Sequence, residues 1–415
     1  MTSVLLINSD LAENRGDRAI AEGNIQLVRE LFPDATVTGI SQHPRRDAEW
    51  YGIDFLDMDF QSLRPLDMVR LLRAARRSDL VLWGGGELLK DYTNKAALWY
   101  WALKMTAVSW ANPRVVGAFQ GIGPTASARS RRIIARLVNR TSLFLVRDEE
   151  SRDKLLAWGA DPGKVRAASD PAVLPEPEPL DAATLTTLRE DFGIDEEFLA
   201  DGFVCIGPRD WFHYRPGGIL PFKYAERLPF RRRRGPDPRH QAYLDSLTAL
   251  MGELTRRHAL RVLLVPMHLS ESDAALCRLL RDHSAAPDSV RILDADTLSP
   301  AQVRSLVARA TAMIGFRLHS NIIGISAGVP CVNVYYVDKG RVFFDQIGQG
   351  HRAIPIEAAL EEDFVPRVLS LFDDVLEHRD EVRGDVVAAT TRLRASVRSS
   401  FSAVAALVGS GGSRP

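Results

Sequence analysis

Short apolar runs alternate with helix-length stretches along most of this 415-residue chain, and that rhythm restricts the fold more than any single motif. Residues 4–8, 36–40, 80–83, 115–119 and 143–146 are apolar and of strand length. Residues 19–31, 68–77, 96–110, 130–139 and 150–158 lie between or after them and read as helices. Continuous apolar runs need cover on both faces, which a parallel sheet between two helical layers supplies. The alternation resumes with expected strands at 203–207, 262–265, 290–293, 312–316 and 331–336. Helices are expected near 241–257, 272–283, 300–310 and 321–327. The expected fold class is α/β, with two doubly wound sheets facing a cleft.

The length calls for more than one core. The Pro-rich acidic stretch 171–180 reads as a semi-rigid linker. The expected units are therefore an N-terminal domain over 1–175, a C-terminal domain over 180–385, and a helix with a disordered tail over 386–415. Residues 395–408 are expected to pack back on the first domain, and the closing GSGGSRP to be disordered. One segment, 211–239, breaks the rhythm as a long loop rich in aromatics and Arg. Its Arg231–Arg234 run does not make a nucleic-acid binder of a chain whose Lys+Arg and Asp+Glu balance at 53 each. Cys205, Cys277 and Cys331 are widely spaced in apolar surroundings, which fits reduced core thiols. The N-terminal residues lack a basic region ahead of an apolar run, and no run reaches the roughly 18 residues of a spanning helix. The expected location is cytoplasmic.

In an open α/β sheet, ligands bind outside the carboxyl ends of the strands. Asn14, Gly16 and Asp17 follow the first expected strand; they either present backbone N–H groups to a ligand or cap the next helix. Gly84, Gly85 and Gly86 follow the strand at 80–83, with Glu87 and Asp91 beyond, and permit close approach of a ligand or another backbone. Gln120, Gly121 and Gly123 repeat the pattern at 115–119. In the second half, Arg209 and Trp211, then Pro266, Met267 and His268, then Arg317, Leu318, His319 and Ser320 stand at strand ends. Paired guanidinium groups suit a small dianion, and His is the side chain best placed to move a proton near neutral pH. The G-x-G-x-x-G fingerprint, the P-loop, the G-x-S-x-G elbow and metal-ligand spacings are not found, so no metal is expected.

Taken in order, these segments resemble the polysaccharide pyruvyl transferase family. The resemblance covers N-x-G-D (Asn14, Gly16, Asp17), the glycine run with Asp91, R-D-x-x-S (Arg147, Asp148, Ser151) and D-P-A (Asp170, Pro171, Ala172). It continues through R-x-W (Arg209, Trp211), G-x-R-L-H-S (Gly315, Arg317–Ser320), G-V-P (Gly328–Pro330) and Y-x-x-K (Tyr336, Lys339). The family implies two Rossmann-like domains of the GT-B kind and transfer of pyruvate from phosphoenolpyruvate to a sugar as a ketal, releasing phosphate. Phosphoenolpyruvate is then a co-substrate, no other cofactor is expected, and the acceptor is a sugar or glycan, free, polymeric or lipid-linked. A homo-oligomer is compatible with it. The resemblance puts phosphoenolpyruvate on the C-terminal domain at Arg317, Leu318, His319 and Arg209, with the acceptor on the N-terminal domain. His319 becomes the general acid, and Asp17 or Asp91 a base or orienting group. Ser320, His268, Lys339, Asn14, Gly16 and Gly84–Gly86 complete the expected substrate-binding set. Two alternatives stay open: a GT-B nucleotide-sugar glycosyltransferase, and a repurposed or non-catalytic relative.

Overall fold

The computed structural model describes residues 1–92, 95–211, 238–270 and 272–409. The expected loop at 211–239 falls largely outside them, with Arg231–Arg234 and the tail from 410. Two sheets form, and every strand pair in them is parallel. The first holds β1 (Ser3–Ile7), β2 (Thr36–Ser41), β3 (Asp54–Asp57), β4 (Leu80–Trp83), β5 (Val115–Gln120), β6 (Leu143–Val146) and β7 (Val165–Ala167), ordered β3-β2-β1-β4-β5-β6-β7. The second holds β8 (Phe203–Gly207), β9 (Arg261–Leu264), β10 (Val290–Ile292), β11 (Ala312–Gly315), β12 (Cys331–Tyr335) and β13 (Ala353–Pro355), ordered β10-β9-β8-β11-β12-β13. Strands β4, β5, β6, β8 and β11 are buried at every position, which is why they read as continuous apolar runs. The three cysteines are free and buried.

Three apolar clusters hold the layers together. One lies under the outward helices of the first sheet, around Leu71, Trp101, Met105 and Ile134. A second lies under the outward helices of the second sheet, around Leu247, Leu254 and Phe372. The third runs between the sheets and takes Leu6 and Ile20 from the first half, and Leu263 and Ile322 from the second. The long helix Arg379–Ser402 completes it with Val386, Leu393 and Phe401. Phe401 stacks on Phe119 with ring centroids 6.2 Å apart, and Arg398 pairs with Glu30 at 2.7 Å. The same helix reaches the other half through Thr390, whose hydroxyl donates to the Ile325 carbonyl at 3.2 Å.

The expected linker at 171–180 is corrected at its start. Residues 171–175 are buried, and Pro171–Val173 form a 3-10 turn capped by Asp170. Gly23, in the helix Arg15–Leu31, passes so close that an added Cβ would lie 2.0 Å from the Pro171 carbonyl oxygen. Proline's fixed φ and missing N–H suit a tight buried turn as well as an extended linker, so composition did not separate the two.

Candidate active site

Both sheets reverse their winding between a first strand and its neighbour, β1 with β4 and β8 with β11. The crevices at these two switch points face each other, and this is where doubly wound sheets hold ligands. The contact between them is direct. The Arg15 N–H donates to the Met267 carbonyl at 3.0 Å, and Leu269 N–H to Glu13 at 3.0 Å. Arg15 is buried and donates from Nη1 to the Pro266 carbonyl at 2.7 Å.

His319 sits at the centre. It occupies the first turn of the helix Leu318–Ser326, which starts as β11 ends. Its Nε2 lies 3.3 Å from Asp170 Oδ2, and its ring packs flat enough on Gly16 that a Cβ there would fall 2.5 Å from Nδ1. Gly86 closes the other side; a Cβ there would meet Asp17 Oδ1 at 3.5 Å and His319 Cε1 at 3.7 Å. Glycine at 16 thus leaves room for the imidazole, while a Cβ at 86 would make ordinary contact and Gly85 is required by its φ of +125°. Gly84 packs on the side chain of Asn24.

The two aspartates beside His319 differ. Burial raises the Asp17 carboxyl above its usual range, partly offset by the charge of His319 and the nearby Ser9 hydroxyl. Burial also works to raise Asp170, but His319, Arg147 and the Ala172 N–H outweigh it and hold this carboxyl below the usual range. Asp170 is therefore a fixed anion that can orient the imidazole, whereas Asp17 has the proton affinity of a group able to accept a proton from a hydroxyl.

The paired arginines are joined by one carboxylate. Asp273, fully buried near the start of the helix Ser272–Asp282, accepts from Arg317 Nε at 2.6 Å and from Arg209 Nη1 at 3.2 Å. The Arg209 guanidinium also lies over the Tyr336 ring, 5.5 Å from its centroid. Two cations that would otherwise repel are thereby held side by side at the ends of β8 and β11.

A second charged cluster lines the β4 end. Glu87 faces Lys339 at 3.4 Å, Lys90 at 3.1 Å and Arg147 at 3.5 Å. These cations override its burial and hold the Glu87 carboxyl far below the usual range. Glu87 thus links Lys339 to Arg147, which in turn meets Asp170 and, through it, His319.

Other expected site residues have local duties. Asn14 caps the helix Arg15–Leu31, its Oδ1 accepting from Gly16 N–H at 2.9 Å and Asp17 N–H at 3.3 Å. The capping alternative is realised, by Asn14 rather than Asp17. Asp91 accepts from the N–H groups of Ala126 and Ser127 at 2.9 and 3.1 Å, which fixes the loop before the helix Ala128–Arg140. Ser320 is buried and donates to the Arg317 carbonyl at 2.6 Å, and Leu318 is buried in the shared core. His268 bridges to Asn14 and lies 3.5 Å from Asp10. Among the described residues, Asp10, Glu13 and His268 bring ligand-type atoms within 4.8 Å of one another, although Asp10 already accepts from the N–H groups of Ala12 and Glu13.

Sequence reasoning omitted Asp170, Asp273, Glu87 and Arg147 from the expected site. Three of them carried a signal, since Arg147 and Asp170 stand in the R-D-x-x-S and D-P-A segments and Glu87 trails the glycines. Asp273, in an ordinary S-E-S-D stretch, carried none.

Comparison with known proteins gives the family and the fold. The family model for polysaccharide pyruvyl transferase matches residues 14–338. Among curated proteins none matches the chain by sequence. Among solved structures, Anabaena HepE in complex with UDP-glucose is 13% identical, with a TM-score of 0.58 over 99% of this chain and 100% of that one. A glycosyltransferase from Rickettsia africae is 12% identical, with a TM-score of 0.56 over 99% of each chain. The UDP-GlcNAc 2-epimerase from Neisseria meningitidis bound to UDP-GlcNAc is 11% identical, with a TM-score of 0.55 over 93% of this chain and 94% of that one. At such identities the likeness is one of fold: two Rossmann-like domains of the GT-B kind.

Proposed function

The chain belongs to the polysaccharide pyruvyl transferase family, and we propose that it transfers pyruvate from phosphoenolpyruvate to a sugar or glycan as a cyclic ketal, releasing phosphate. The observation that carries this reading is the juxtaposition of the Arg209–Asp273–Arg317 clamp with His319 at the ends of β8 and β11. The clamp offers guanidinium N–H groups to the carboxylate and phosphate of the donor. His319 gives a proton to the methylene carbon, and C2 becomes an oxocarbenium centre stabilised by its bridging oxygen. A sugar hydroxyl adds to C2, giving up its proton to Asp17. The C2–O bond to phosphate then breaks, and a second hydroxyl closes the ketal. The proton held by Asp17 passes to the departing phosphate and that of the second hydroxyl restores His319, so the protons balance and the reaction consumes no oxidant or reductant.

Asp170 holds the imidazole, and Arg147 and Lys339, bridged by Glu87, stand in the same charged network. The test is phosphate release on mixing the protein, phosphoenolpyruvate and a panel of sugar acceptors. A general acid contributes about 10²–10⁴-fold, so His319→Gln should lower turnover by at least about a hundredfold with the fold intact. A loss smaller than tenfold removes His319 from that role. Release of a nucleotide from a nucleotide sugar, with none of phosphate from phosphoenolpyruvate, replaces the reading by that of a glycosyltransferase.

A further inference from the structure

The helices on the outward face of the first sheet, Pro65–Arg77, Lys95–Ala111 and Ala128–Arg140, have an outer surface unlike the rest of the protein. Lys95–Ala111 reads KAALWYWALKMTAVSWA and is apolar on every side. Leu98, Trp101, Met105 and Val108 fill the core beneath it. Trp99, Leu103 and Trp110 project the other way and are 48%, 72% and 74% exposed. Spacings of four and eleven put these three on one stripe. A helix apolar all round is normally covered all round. Leu63, Leu66 and Val69, at and before the start of the adjoining helix, are exposed as well. Together they account for most of the large hydrophobic side chains exposed among the described residues, gathered on one face.

Charge says what covers this face. No Asp or Glu stands between Asp91 and Asp148, in a chain whose charges otherwise balance. Exposed arginines flank the apolar stripe, Arg70, Arg73 and Arg76 on one side and Arg132, Arg136 and Arg140 on the other. Arg140 places its guanidinium over Trp110, 5.8 Å from the ring centroid. A second copy of the chain is a poor cover, because a two-fold contact sets this face against itself and brings the arginines together. A surface with an apolar interior and negative headgroups satisfies both the aromatics and the arginines. Among the described residues no helix is long and apolar enough to cross a membrane, so the contact would lie along the surface.

We propose that this helical face docks on an anionic lipid bilayer, with Trp99, Leu103 and Trp110 at headgroup level and the flanking arginines on lipid phosphates. The helix Lys95–Ala111 is about 25 Å long at 1.5 Å per residue and begins just beyond the glycine loop that walls the cleft. Docking therefore brings the cleft mouth to the membrane surface, within reach of an acceptor carried on a lipid. The inference rests on exposure and charge and does not depend on the reaction proposed above.

Vesicle flotation of the full chain tests it, comparing phosphatidylcholine alone with phosphatidylcholine containing phosphatidylglycerol. The wild type should float only with the anionic vesicles and be released by salt. The double substitution Trp99→Glu/Leu103→Glu should lower partitioning about tenfold or more, as should Arg132→Glu/Arg136→Glu, with unchanged circular dichroism and turnover on a soluble acceptor. If the apolar variant misfolds, the arginine variant and the wild-type lipid comparison still decide. The proposal is overturned if the wild type ignores anionic vesicles, or binds neutral ones equally. It is also overturned if a folded variant keeps full binding, or if sedimentation velocity shows these substitutions splitting a dimer that does not bind vesicles.

Discussion

Replacing Asp170 by Asn is the sharpest probe of the centre. The substitution keeps the side-chain volume and, with its carbonyl oxygen toward the Ala172 N–H, keeps the 3.1 Å contact that caps the turn at Pro171. It changes the other branch, where Oδ2 lies 3.3 Å from His319 Nε2 and 3.4 Å from Arg147 Nη1. An amide NH2 there faces two donors. The imidazole can meet it only with a bare Nε2, which opposes the doubly protonated ring needed to deliver a proton. A hydrogen bond to a charged group is worth about 1.5–3 kcal/mol, so at 1.4 kcal/mol per decade turnover should fall about 10- to 150-fold. The Michaelis constant for phosphoenolpyruvate should move little, since Arg209 and Arg317 are anchored elsewhere.

Stability should drop too, by less than the roughly 3–5 kcal/mol seen when a buried pair loses one partner, because Arg147 keeps Glu87. The sign with pH is fixed by the lowered folded-state value of Asp170. Its contribution is fully present above the ordinary Asp value of about 3.9 and is lost as the pH falls through the lower folded value. Wild type and variant should therefore converge in urea midpoint only in acid. Phosphate release at saturating donor and urea titration at two pH values are the assays. Turnover within threefold of wild type in a folded variant would refute the orienting role.

Two further substitutions separate neighbouring roles. Gly16→Ala places a methyl 2.5 Å from His319 Nδ1; the ring must shift, costing about 1–3 kcal/mol of stability and most of the turnover, and a fully active, equally stable variant would contradict the close approach. Asp273→Asn removes the anion that joins Arg317 to Arg209. Donor affinity, read by calorimetry with phosphoenolpyruvate, should fall about tenfold or more as one charged hydrogen bond loses its alignment, and an unchanged affinity would mean that the clamp does not need its bridge.

The central strands were legible because burial on both faces leaves no choice of residue: β4, β6 and β8 begin and end where their apolar runs do. Of the four strands at the rims, Val290–Ile292 was legible within the run 290–293 and the other three were not. Asp54–Asp57 reads DFLD and is half exposed, while Val165–Ala167 and Ala353–Pro355 are three residues each, too short for a pattern. At the site, His319, Arg317 and Arg209 could be picked out because strand ends in a parallel sheet are where function collects. Asp273 could not, since its importance comes from two arginines 64 and 44 positions away in the chain. The start of the linker was misjudged for the same reason, for only the fold reveals that Pro171 is clasped by Gly23.

The helix Arg379–Ser402 has a consequence for how the chain is made. The face of the first sheet that carries Phe119 is closed by Phe401, and Glu30 finds its cationic partner in Arg398. On the ribosome, the first half leaves the exit tunnel long before these residues exist. It must wait with an open apolar flank through the synthesis of the entire second half, against the usual order in which N-terminal domains finish first. Completion of the first half is therefore expected only once the last helix is made, and separately expressed halves should expose the surface that this helix covers.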